Sequence, residues 1–125
     1  MSEIRATTIS NLAGTGPATL TKQSAAKAWS GVSTTSATAG ENFNISSLVD
    51  NGTGDTTHNF TTAMSSANFV LSTGARHTGG TDGYVNERTA TNRAVGSTRT
   101  QAMLSSTGAF VDIAYAQVVV MGDLA

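Results

Sequence analysis

The chain of 125 residues sets seven Lys or Arg against eight Asp or Glu, a net charge of −1, so no positive field gathers phosphates and nucleic-acid binding loses its main driving term. It has no cysteine, which excludes disulfides and thiolate metal sites, and no apolar run near the roughly 18 residues that a membrane helix requires. One domain plus an arm fits this size, and a supply of Ser and Thr exceeding a quarter of the residues, with 13 glycines, points to strands and turns, hence an all-β chain.

Residues 2–9 alternate loosely, with Ile4, Ala6 and Thr8 on one face, and residues 11–16 break the pattern with small side chains and glycine. A second extended piece follows over 17–23. These first 25 residues hold too few large apolar groups to offset about 1–2 kcal/mol per residue of backbone ordering, so the arm is either mobile or covered by another chain. Its start, MSEIRATTIS, has charge at Glu3 and Arg5 and no apolar core, and does not read as a secretion signal. Residues 25–29 would make one helical turn, too short to stand alone, and residues 34–40 are small and turn-like.

Residues 41–64 predict a β-hairpin. Phe43 and Ile45 lie two apart before a polar cluster, and His58, Phe60, Thr62 and Met64 keep the same period after it. Between them Asp50-Asn51-Gly52-Thr53-Gly54-Asp55 supplies the glycines and side-chain acceptors that reverse a chain. The same six residues lack the D-x-[DN]-x-[DN]-G pattern and distal glutamate of a calcium loop, so they are read as a turn, with no metal. Residues 68–72 resume a strand in which Phe69 and Leu71 share a face.

Residues 73–97 are almost without aliphatic side chains and rich in glycine, which predicts one long irregular loop with a short strand at Tyr84 and Val85. Residues 98–104 are extended, and 105–108 form the turn of a second hairpin into a last strand over 109–121. In that strand Val111, Ile113, Tyr115, Val119 and Met121 take one face while Phe110, Ala114, Ala116, Val118 and Val120 make the other apolar as well. Two apolar faces require cover on both sides. The cover is either a neighbouring subunit, with Val111, Ile113, Tyr115, Val118 and Val120 as its interface, or the two layers of one sandwich with the arm behind.

The wording around the first hairpin is more specific than its spacing. Ala26-Lys27-Ala28-Trp29, then FNISSLVDNGTGDTTHNFTTAM, then Asn68-Phe69-Val70 resembles a domain recurring in phage tail-fibre and related virion proteins; the resemblance covers residues 26–71. It places Trp29 at the start of a strand and implies a docking or intertwining leader. The expectation is therefore an arm over 1–25 and a small antiparallel β-sandwich, jelly-roll-like, of seven or eight strands over 26–125, assembled as a homotrimer. Such a protein would be made in the bacterial cytoplasm and built into the virion. Two roles are open: a tail-fibre or tail-tip subunit for host attachment, or a capsid decoration or head-fibre protein.

For chemistry the residues offer little. His58 and His77 are the available bases, with no nucleophile motif beside them, so the chain is read as no enzyme and as needing no cofactor. His58 is expected at the rim of the hairpin. Receptor contact, to a host-surface glycan, is expected from the loop through Arg76, His77, Asp82, Tyr84, Asn86 and Arg88; the rival for the arginines is simple solvation. The expected partners are the chain's own copies, other virion proteins reached by the arm, and that glycan.

Overall fold

Side-chain alternation starts at Ala26 and builds β1 (Ala26–Ser33), with Ala28, Ser30 and Val32 turned inward and Trp29 outward. The computed structural model describes residues 25–76, 83–88 and 93–125. Within these, a turn at 34–37 leads into β2 (Thr38–Phe43), followed by β3 (Ile45–Gly52), β4 (Asp55–Phe60), β5 (Val70–Arg76), β6 (Gly83–Glu87), β7 (Ser97–Leu104) and β8 (Tyr115–Met121). The strands form two antiparallel sheets, in the orders β2-β1-β8-β5 and β3-β4-β7-β6. This is an all-β, two-sheet architecture, with no helix among the described residues. Sequence neighbours β1/β2, β3/β4 and β6/β7 lie side by side within a sheet, while the remaining steps between successive strands cross from one sheet to the other. The expected arm lies outside the described residues apart from its last residue.

The first hairpin forms as expected, but its start differs. Phe43 and Ile45 do not share a strand face, because Asn44 between them stands at φ 55° and swings the chain from one sheet to the other. Asn44 is held there by its side chain: Oδ1 accepts the Thr62 amide at 2.7 Å, and Nδ2 donates to the Lys27 and Thr62 carbonyls at 3.0 Å each. Phe43 is left half exposed on the outside while Ile45 packs against the core. The turn itself is tight, with Gly52 opposite Asp55 across Thr53 and Gly54.

The expected last strand over 109–121 is also split. Residues 109–111 stay with β7, through Leu104 N–H to Ala109 O and Val111 N–H to Ala102 O. The chain then crosses to the other sheet, fixed by Asp112 Oδ1, which accepts the Gly54 amide at 2.7 Å, and by Ile113, whose amide donates to Thr34 Oγ1 at 2.7 Å. Only from Tyr115 does it pair with β1 and β5. A period count across the crossing therefore misassigns faces: in β8 Ala116, Val118 and Val120 point in, and Tyr115, Gln117 and Val119 point out.

Between the sheets lie two apolar clusters. One gathers Ala28, Phe60, Met64, Phe69, Val118 and Val120; the other Val32, Val85, Ala102, Ile113 and Ala116. A polar layer separates them. Ser30 Oγ and Thr100 Oγ1 each sit 3.0 Å from a ring nitrogen of His58, with buried Thr56 and Thr98 beside them on β4 and β7. Both ring nitrogens are thereby satisfied, which is what makes a histidine tolerable at this depth.

Candidate functional site

The residues expected to contact a receptor do not converge. β5 runs on to Arg76 and β6 spans Gly83–Glu87, so much of the described part of the expected loop is strand: β8 and β7 supply backbone partners that local composition does not reveal. His77 and Asp82 lie outside the described residues. Arg76 is exposed on the outside of the β2-β1-β8-β5 sheet, in register with Tyr115, whereas Tyr84 and Asn86 face outward from the opposite sheet. Arg88 forms an ion pair with Asp55, and its guanidinium lies 5.4 Å from the centre of the Phe110 ring.

The neighbouring arginines are also engaged. Arg99 makes a two-pronged contact to Asp55, Nε to Oδ1 at 2.6 Å and Nη2 to Oδ2 at 2.7 Å. Arg93 pairs with Glu87 and lies over the Phe69 ring at 4.6 Å. Asp55 is almost fully buried between its two arginines, and Asp50 Oδ1 accepts the Gly52 amide at 2.8 Å, so the carboxylates of the hairpin turn serve the fold. Among the described residues there is no cluster of three or more His, Cys, Asp or Glu able to hold a metal ion.

His58 is not at the rim. It is fully buried, and desolvation lowers its pKa from 6.5 to about 4, so it is a neutral core residue at ordinary pH. The candidate interface residues on the last segment are redistributed as well. Ile113, Val118 and Val120 are at most 1% exposed inside the chain's own core, and Val111 is partly buried against it, which removes the first three from any contact with another copy. Tyr115 alone of the five is well exposed, at 48%.

Tyr115 belongs to a site that the loop-centred reading missed. On the outer face of the β2-β1-β8-β5 sheet an open cleft of about 700 Å³ lies between Trp29 and Tyr115, bordered by Glu41, Gln117 and Val119. Its floor is backbone, because Ser30 and Val118 turn their side chains inward and Gly31 and Gly40 have none. Trp29 stands between Phe43 on β2 and Val119 on β8. Gly31 pairs with Gln117, which in turn pairs with Gly74, and the Gln117 side chain lies across Gly74. The cleft therefore offers two aromatic faces, a carboxylate and an amide above a bare stretch of sheet. A signal for it did exist: Trp29 and Gly31 sit two apart, on one strand face. The other half comes from β8, 86 residues later in the chain for Tyr115 against Trp29.

No family model, curated protein or solved structure matches the chain.

Proposed function

We propose that the chain is a structural subunit of a phage particle, of the tail-fibre or tail-tip kind, that helps attach the particle to its host, and that it is built into the virion as a homotrimer. The sequence resemblance over residues 26–71 supports the setting. The observation that carries the attachment role is the open aromatic cleft on the outer sheet face, where Trp29 is 37% and Tyr115 48% exposed and neither belongs to the core clusters. Recognition then lies on this face rather than on the 73–97 segment, and it involves no catalytic step or cofactor.

The test is adsorption. Particles carrying Trp29→Ala together with Tyr115→Ala should assemble in normal number and lose at least about tenfold in adsorption rate, equivalent to about 1.4 kcal/mol. Unchanged adsorption by intact particles would remove the attachment role.

A second reading, capsid decoration, draws on the other end of the same face. Val70, at the start of the edge strand β5, is 58% exposed and pairs with Met121, which makes an apolar border suited to packing on another virion subunit. In that case the same double variant adsorbs normally, and Val70→Asp releases the subunit from particles.

A further inference from the structure

We propose that the Trp29–Tyr115 cleft is a saccharide-binding site that takes neutral or N-acetylated hexopyranose chains. The inference deepens the attachment reading and rests on it for its biological setting, while the binding itself is a property of the isolated protein.

The geometry is a trough running across the strands. Outward side chains on neighbouring strands fall into rows: Phe43, Trp29, Val119 and Ser72 form one, and Tyr115 with Arg76 forms another. The row between them is Gly31, Gln117 and Gly74, so two of its three positions have no side chain. Trp29 and Gly31 are two residues apart, about 7 Å along the strand, and the Tyr115 ring reaches the space above Gly31, where a Cβ would lie 3.5 Å from its Cε1 atom. The walls are aromatic and the floor is flat.

A pyranose has apolar C–H faces and a rim of hydroxyls, and it needs both kinds of contact at once. Trp29 and Tyr115 supply flat apolar surfaces, while Glu41 and Gln117 add an acceptor and a donor–acceptor pair to the lining. Glu41 is the charge lining the cleft, which disfavours acidic sugars. Because the trough is open rather than closed over a single ring, it suits a chain of residues. A second copy of this sheet is a poorer occupant: laid flat across the trough, it would bury the Glu41 carboxylate and the Gln117 amide without bringing them partners.

Trp29 is the single tryptophan of the chain, so its fluorescence reports on the cleft alone. Purified protein titrated with cellohexaose, maltohexaose and chitohexaose should show a saturating change in emission with at least one of them, with Kd on the order of 1 mM or tighter. Gly31→Val fills the floor and Tyr115→Ala removes a wall. Either should weaken binding at least about tenfold, with the far-UV spectrum and melting temperature retained, while Tyr84→Ala on the opposite sheet leaves it unchanged. Absence of any change with all three sugars, or wild-type affinity in both Gly31→Val and Tyr115→Ala, overturns the proposal. An emission change that follows protein concentration without sugar also overturns it and makes a second copy the occupant. Sugar binding with normal adsorption of the double variant would leave the site and remove the attachment role; loss of adsorption without sugar binding would do the reverse.

Discussion

His58 shows how one side chain ties the stability of this sandwich to pH. Enclosed between Ser30 and Thr100, its ring stays neutral down to a pKa of about 4, whereas in the unfolded chain it protonates at about 6.5. Above the unfolded value both states are neutral and the group contributes no pH dependence. As pH falls through 6.5 toward 4, the unfolded chain takes up a proton that the folded chain refuses, so stability declines across that window and levels off below it. The full loss is about 3 kcal/mol, from about 1.4 kcal/mol per pH unit. Urea unfolding at several pH values should show this slope, and subtracting the curve for His58→Gln should isolate it from the carboxylates. A wild-type curve parallel to that of the variant would contradict the burial argument. The same enclosure explains why a catalytic part for His58 finds no support in its surroundings: both ring nitrogens are already occupied by hydroxyls.

At the scale of elements, the first hairpin is pinned to the crossing between β7 and β8. Gly54 has φ 65°, and a Cβ there would stand 2.6 Å from the Ala102 carbonyl oxygen and 2.7 Å from that of Val111. Gly52, at φ 124°, has nothing within 4 Å. Both positions penalise an L side chain, but only Gly54 adds a collision with backbone. Gly54→Ala should therefore cost about 3 kcal/mol or more and Gly52→Ala about 1–2 kcal/mol, measured by chemical denaturation. Equal losses would mean that the close approach of residues 102 and 111 is not structurally important. This hairpin was legible in the sequence because turn residues and strand period agree locally. The 109–121 segment was not: its crossing is fixed by Asp112 to Gly54 and by Ile113 to Thr34, contacts between distant residues that leave no local mark. The run of β5 on to Arg76 and the full length of β6 around Tyr84 and Val85 were hidden for a related reason, since an edge strand with small residues is held by its neighbour's backbone rather than by its own side chains.

For the whole molecule, the two faces of β8 have different duties. Its inward side chains complete the core, so Val118→Asp buries an unpaired charge and should leave the chain unfolded or insoluble at any concentration. Val70→Asp, on the exposed edge of the outer face, should leave a folded chain and act only on association. Sedimentation of both variants beside the wild type separates folding from assembly; a soluble, folded Val118→Asp protein would contradict the core assignment. By itself the sequence determined the all-β class, the hairpin turn at residues 50–55 and the inward phase of β4, because each depends on neighbours along the chain. Only the tertiary structure decided which of two apolar faces is core, where the chain changes sheets, and that Trp29 and Tyr115 border one cleft. Those outcomes depend on which strands pair across the sheet, and pairing is set by burial summed over the whole sandwich rather than by any local run of residues.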